Sequence, residues 1–266
     1  MNRIDEVLKE AQKTAKKILS PYITAGDPIP EETVKLMHTL VKAGANILEL
    51  GIPFSDPMAE GPVIQQAMER ALAHQISCEE VFSLVREFRK SDPTTPIILM
   101  GYVNPIEQYG YEEFAKEAKE AGVDGTILVD LPPEESEEII EIWERNNLYN
   151  IFLCSPTTSD ERMKLINQLG KGYLYYVSLK GVTGANTFNV EEVKRQYLQR
   201  QTKSTLPILV GFGIKSPEMA AAVADFADGV VVGAELITRI FQAYTAKKDM
   251  HAAAKELIAG MREAMG

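Results

Sequence analysis

A carboxylate standing inside an apolar run is the first place to look for chemistry in this chain. Glu49 lies in Ile47-Leu48-Glu49-Leu50, which stops at Gly51, and a second carboxylate, Glu60, follows in an acidic loop before the chain turns at Gly61-Pro62. Hiding a lone acid near the end of a strand costs free energy that a neutral residue would save, so such an acid is either strongly paired or used. Burial against apolar neighbours raises a carboxyl pKa, and a glutamic acid poised near neutrality can both give and take a proton. The competing reading of Glu49 is a carboxylate kept for stability and paired with a lysine or a hydroxyl. Glu60 says less by itself, because a carboxylate in a Pro/Gly loop is most often solvated. Two acids on one face also suit a glycosidase, although nothing in the sequence sets their separation.

A second group of residues is built from glycine. Gly181-Val182-Thr183-Gly184, Gly211-Phe212-Gly213 and Gly233-Ala234 each follow a late apolar run. Glycine lets backbone N–H groups approach a phosphate, and a helix N-terminus adds favourable partial charge. The formal net charge of −10 argues against general affinity for nucleic acid or acidic membranes. An anionic substrate must then be gripped by a local device, and main-chain amides in these turns supply one.

The scaffold that could deliver these residues to one face is legible in the rhythm of the chain. Short β-branched runs at Ile18–Thr24, Ile47–Leu50, Ile97–Gly101, Gly125–Val129, Ile151–Leu153, Tyr173–Val177, Pro207–Val210 and Gly229–Val232 alternate with helix-patterned segments. Their apolar residues run continuously rather than alternating, as in a parallel sheet covered on both faces. A weak repeat, Ala43-Gly44-Ala45-Asn46, Ala121-Gly122-Val123-Asp124 and Ala227-Asp228-Gly229, reads as helix stop, tight turn and new strand, with glycine at a left-handed helix end. The pattern predicts an α/β fold, a single (β/α)8 barrel domain over residues 1–266. An extra amphipathic helix opening at Ile4-Asp5-Glu6-Val7-Leu8 would cap its floor. A doubly wound open sheet is the runner-up, but no GxGxxG follows the first strand. In a barrel the working loops follow the strands, which brings Glu49, Glu60, Asn104-Pro105, Asp130-Leu131-Pro132-Pro133 and the glycine turns to one end.

Other residues read more plainly. Apolar stretches are too short to cross a bilayer, and Met1 to Ser20 is too charged for a secretory signal, so a cytoplasmic location is expected. Cys78 and Cys154 share no metal spacing and read as reduced structural thiols. His38, His74 and His251 sit in helical segments away from the predicted rim. Trp143 reads as packing between helix and sheet, and Met58 and Met100 as core or as walls of an apolar pocket.

With these residues in place, the chain resembles the tryptophan synthase alpha subunit family. The motifs that carry the resemblance are Ser20-Pro21-Tyr22-Ile23-Thr24-Ala25-Gly26-Asp27-Pro28, Leu48-Glu49-Leu50-Gly51-Ile52-Pro53-Phe54-Ser55-Asp56-Pro57, Gly101-Tyr102-Val103-Asn104-Pro105, Val129-Asp130-Leu131-Pro132, Gly181-Val182-Thr183-Gly184 and Gly211-Phe212-Gly213-Ile214. The resemblance implies a TIM-barrel carbon–carbon lyase of tryptophan biosynthesis that splits indole-3-glycerol phosphate into indole and glyceraldehyde 3-phosphate by a retro-aldol reaction. It implies no metal and no cofactor in this chain. It also implies an αββα heterotetramer, in which indole passes to a beta subunit that holds pyridoxal phosphate.

Carried onto this sequence, the resemblance makes Glu49 the acid that shuttles a proton to indole C3. Glu60 stands where the family has an aspartate that meets the indole N–H, which keeps the charge on a longer arm. Tyr175 would sit beside the glycerol hydroxyls and Thr183 would help close the site. Gly184, Gly213, Gly233 and Ala234 would cradle the phosphate; many relatives have serine at the last position, so a hydroxyl contact is lost and phosphate binding should weaken. Tyr22, Met100, Ile127 and Phe212 would line a flat indole pocket. Asp56, Asn104 and Pro132 would face the beta subunit. The alternatives are a stand-alone indole-releasing lyase, a degenerate subunit that only activates its partner, and a different phosphate-binding barrel enzyme such as a sugar-phosphate isomerase or epimerase.

Overall fold

Every apolar run expected as a strand enters one parallel sheet in the computed structural model, which describes residues 1–177, 189–211 and 213–266. The strands are β1 (Ile18–Thr24), β2 (Leu48–Gly51), β3 (Ile97–Gly101), β4 (Gly125–Leu128), β5 (Tyr149–Asn150), β6 (Leu153–Cys154), β7 (Leu174–Val177), β8 (Ile208–Gly211) and β9 (Gly229–Val232), in the order β5-β4-β3-β2-β1-β9-β8-β7-β6. The expected fifth strand is split. Ile151 still donates its N–H to Thr126 O at 2.8 Å on β4, whereas the Phe152 carbonyl accepts the Tyr175 N–H at 3.0 Å on β7. The short bend between β5 and β6 thus hands the chain from one edge of the sheet to the other, and the barrel closes with eight β/α units.

The helices among the described residues are α1 (Arg3–Thr14), α2 (Pro30–Lys42), α3 (Pro62–Ala73), α4 (Cys78–Arg89), α5 (Val103–Tyr109), α6 (Tyr111–Ala121), α7 (Glu137–Arg145), α8 (Asp160–Leu169), α9 (Val190–Gln201), α10 (Pro217–Ala224), α11 (Ala234–Thr245) and α12 (Met250–Met265). Their starts carry the expected chemistry. Ser77 and Glu80 form a reciprocal capping box on α4, Asn2 and Ser159 cap α1 and α8, and prolines open α2, α3 and α10. One helix escapes the sequence reading. Asn104-Pro105, expected in a loop, lies inside α5, where Pro105 falls in the first turn and so removes no intrahelical hydrogen bond.

Continuous burial along the strands conceals two separate cores. Ile18, Tyr22, Ile98, Met100, Ile127, Tyr173 and Leu209 fill the barrel, while Leu19, Leu48, Leu50, Leu99, Leu128, Tyr176 and Val210 point outward and pack beneath the helices. Alternate residues therefore face opposite sides although all are apolar, which explains the unbroken hydrophobic runs. Trp143 packs in the outer core as expected, stacked on Phe114 with its Nε1 donating to Thr126 Oγ1 at 2.8 Å.

The floor shows what the internal repeat does. Asn46, Asp124 and Asp228 each accept an N–H from the neighbouring strand: Leu19 at 2.9 Å, Ile97 at 2.9 Å and Ile208 at 2.8 Å. Gly44 and Gly122 take the expected left-handed conformation, with φ of 110° and 94°. The third turn departs from the pattern, since Gly229 is instead the first residue of β9, where a Cβ would strike the Ile18 carbonyl. Helix α1 seals this end as predicted. Ile4 enters the inner core, Asn2 Nδ2 reaches the Asp124 and Asn147 carbonyls, and Arg3 and Arg89 each pair with one Asp124 oxygen at 2.9 Å.

Candidate active site

Glu49 points into the barrel from β2, in register with Tyr22 on β1 and Ile98 on β3. Its side chain is wholly buried. Oε1 accepts the Ser20 hydroxyl at 3.0 Å and the Tyr173 hydroxyl at 3.1 Å, while Oε2 is buried with no partner. Burial pushes this carboxyl up to about 7, and the two hydroxyls pull against the rise. Features of both competing readings of Glu49 are present: a raised proton affinity and pairing with hydroxyls. The pairing is with neutral groups and is incomplete.

Glu60 stands just before Gly61, the residue that caps α3. Its loop is held in place: Ala59 N–H donates to the Tyr102 hydroxyl at 3.1 Å, Glu60 N–H to Pro57 O at 3.0 Å, and Gln65 Nε2 to Glu60 O at 2.9 Å. Far from being simply solvated, the Glu60 carboxyl is half-buried and raised to about 7 by desolvation. Its charge acts on the phenols of Tyr22, Tyr102 and Tyr175. Tyr175 also feels Glu49, so one ring stands within the field of both acids.

Two glycines make room for the aromatic walls. A Cβ on Gly51 would collide with the phenol of Tyr22, and one on Gly211 with the phenol of Tyr175. Met100 and Ile127 complete the inner apolar wall. On the opposite side of the mouth, Gly213 has a φ of 80°, and Gly233 precedes α11 with no side chain capping that helix. Ala234 is its first residue. The first main-chain N–H groups of α11 are therefore left without a side-chain acceptor. Thr183, Gly184 and Phe212 lie outside the described residues.

Asp56, Asn104 and Pro132 follow the consecutive strands β2, β3 and β4, and form one arc of the rim. Asp56 and Asn104 are exposed and Pro132 half-buried. Asp130 ties this arc together by accepting the Val103 N–H at 2.8 Å. Met58 belongs to the rim and not to a pocket, being 83% exposed. His38 on α2 stacks on Phe88, His251 on α12 bonds to Glu32 and Thr39, and His74, expected in a helical segment, instead stands in the turn that ends α3. No cluster of three or more metal-binding side chains occurs among the described residues. A cleft of about 730 Å³ lies between Asp5, Lys16, Gln201 and Asp228, at the floor and remote from both carboxyls.

Sequence reading missed three side chains at this mouth: Ser20, Tyr173 and Tyr102. Each acts across a distance along the chain that no local pattern encodes. Only the alternation of Ser20 with Tyr22, on the inward face of β1, hinted that Ser20 reaches the site.

A closed (β/α)8 barrel with two near-neutral carboxyls at the C-terminal mouth defines an enzyme of the acid–base class. A family model for the tryptophan synthase alpha chain matches residues 8–266. A tryptophan synthase alpha chain from Legionella pneumophila (strain Lens) is 66% identical over 265 residues, covering 100% of this chain and 97% of that one. Another, from Marinobacter nauticus, is 53% identical and covered to 98%. Among solved structures, tryptophan synthase subunit alpha from Legionella pneumophila str. Paris superposes with a TM-score of 0.96 at 63% identity, covering 100% and 98% of the two chains. A Pyrococcus furiosus structure from work on mutual activation of the tryptophan synthase a2b2 complex superposes at 0.83 with 37% identity, covering 92% and 98%. The chain belongs to the tryptophan synthase alpha chain family. It is a carbon–carbon lyase of tryptophan biosynthesis that cleaves indole-3-glycerol phosphate.

Proposed function

We propose that Glu49 is the acid–base group of this cleavage and Glu60 the acceptor of the indole N–H, within one barrel domain over residues 1–266. The observation that carries the reading is the Glu49 carboxyl, buried at the mouth with one oxygen engaged by hydroxyls and the other without a partner. With a pKa of about 7, it keeps its proton in much of the population at neutral pH and still yields it to a modest base. The acid donates that proton to indole C3, and the ring nitrogen takes the positive charge, which the Glu60 carboxylate stabilises. Glu49, now a carboxylate, accepts the proton of the hydroxyl on the adjoining glycerol carbon. The O–H electron pair becomes the carbonyl of glyceraldehyde 3-phosphate as the carbon–carbon bond breaks. The electrons of that bond restore the aromatic ring, and Glu49 is left protonated for the next turn.

The remaining residues position the substrate. Tyr22, Met100, Ile127 and Phe212 form the walls for the indole plane, and Tyr175, within the field of both acids, lies beside the glycerol hydroxyls. Gly184, Gly213, Gly233 and Ala234 supply main-chain N–H groups to the phosphate, and Thr183 helps close the site. The uncapped start of α11 supports that role for Gly233 and Ala234. The chemistry written this way needs no cofactor in this chain. The rim arc of Asp56, Asn104 and Pro132 meets a beta subunit that carries pyridoxal phosphate, in an αββα assembly in the cytoplasm. The a2b2 complex studied for the Pyrococcus furiosus neighbour supports this partner.

Release of indole from indole-3-glycerol phosphate tests the assignment. Glu49→Gln keeps shape and removes the exchangeable proton, and should lower kcat by on the order of 10³-fold with the fold retained. Turnover within about tenfold of the native chain would overturn the role given to Glu49.

A further inference from the structure

Glu49 is held from one side only. Both donors, Ser20 Oγ at 3.0 Å and Tyr173 Oη at 3.1 Å, converge on Oε1. Ser20 lies on β1 two residues before Tyr22, on the same inward face, and is fully buried. Tyr173 immediately precedes β7, which lies four strands away from β2 in the sheet order, so its bond crosses the interior. Each hydroxyl has a single proton and spends it on Oε1, which leaves Oε2 buried without a partner.

A carboxyl oxygen has two lone pairs, and here both on Oε1 are taken by donors. In the acid form the proton must then sit on Oε2. Resting on the assignment of Glu49 as the acid–base group, we infer that Ser20 is a positioning residue for the lyase reaction: its hydroxyl, with that of Tyr173, reserves Oε1 as an acceptor and confines the exchangeable proton to Oε2. Without Ser20 the carboxyl has one donor for two oxygens. It can then turn over, presenting the proton away from the substrate in part of the population.

The hydroxyl also favours the carboxylate, because a donor stabilises the charged form. Few other groups compete for that influence. From β1 the carboxyl faces Ser20 and Tyr22, from β7 Tyr173 and Tyr175, and its partner in register on β3 is the apolar Ile98. Burial raises all three phenols, so they stay neutral where Glu49 titrates. Among the described residues no lysine or arginine acts on it.

The test is the pH dependence of kcat/KM for indole release from indole-3-glycerol phosphate by the full chain, with Ser20→Ala, Ser20→Cys and Glu49→Gln beside the native protein. The free enzyme starts as the acid, so activity falls as pH rises through the Glu49 pKa. Removing a donor to the carboxylate moves that basic limb upward. Ser20→Ala should shift it by about one pH unit and lower kcat about tenfold at the optimum. Ser20→Cys fills the same space with a weaker donor and should fall between the two. A merely structural serine would alter stability and leave the limb in place. Superimposable basic limbs in all three active proteins, with Glu49→Gln inactive, would overturn the role of Ser20. An active Glu49→Gln would instead overturn the acid–base assignment on which it rests.

Discussion

Two buried carboxyls sit at opposite ends of the same barrel and are treated in opposite ways. At the floor, Asp124 meets the guanidiniums of Arg3 and Arg89 and the N–H of Ile97, so each of its oxygens has a charged partner. At the mouth, Glu49 meets only two neutral hydroxyls, both on one oxygen. Burial raises both acids, but at Asp124 the amide and the two cations work against it. At Glu49 only two neutral hydroxyls oppose it, and the carboxyl is left at about 7. Burial alone therefore does not make an acid catalytic. The partners decide whether the buried charge is locked in place or left able to trade a proton.

The contrast breaks most sharply if Asp124→Asn is harmless. That substitution leaves two guanidiniums facing a neutral side chain and should cost about 3–5 kcal/mol of unfolding free energy in denaturant titration. The basic limb of the activity profile should stay where it is. A loss below about 1 kcal/mol would mean that the floor is not held by this ion pair.

Glu49→Gln should do the reverse. The folded pKa of about 7 exceeds the ordinary 4.5, so between those values the folded protein binds more protons than the unfolded chain. Native stability therefore falls as pH rises from about 4.5 to 7, by roughly 3 kcal/mol. A neutral glutamine does not titrate. The variant should be more stable than the native chain at pH 8, with the gap closing toward pH 4.5. Parallel stability curves for the two proteins would show that the Glu49 charge is not expensive to bury.

The smallest effect sharpens the comparison at the mouth itself. Glu60→Ala should lose about 10²-fold in kcat, and Glu60→Asp less than about tenfold, because its shorter arm still brings a carboxylate to the ring nitrogen. Equal rates for the two variants would remove Glu60 from the chemistry.

Much of this architecture was legible in the residues. Apolar runs ending in turn residues located all eight barrel units, since a strand covered on both faces leaves a continuous hydrophobic signature. Gly44 and Gly122 marked helix ends because a positive φ is a local demand. The split at Ile151-Phe152 was not legible, since it depends on two neighbours far apart in sequence. Helix α5 was hidden by Pro105, a residue that reads as a breaker unless its place in the first turn is known. At the site, Glu49 stood out as a charge among apolar residues. Ser20 and Tyr173 did not, because a serine in a strand and a tyrosine at a strand start are unremarkable until folding sets Tyr173 beside an acid 124 positions earlier.

The glycines at Gly51 and Gly211 have a consequence for how such a mouth can change over generations. Each lends its missing side-chain volume to a phenol from the adjacent strand, Tyr22 and Tyr175 respectively. A larger residue cannot enter at either glycine while its tyrosine remains, whereas a smaller ring-side residue can arrive first and free the space. The route to a reshaped pocket therefore runs in one direction: the aromatic partner must give way before the glycine does, and drift that begins at the glycine meets a dead end.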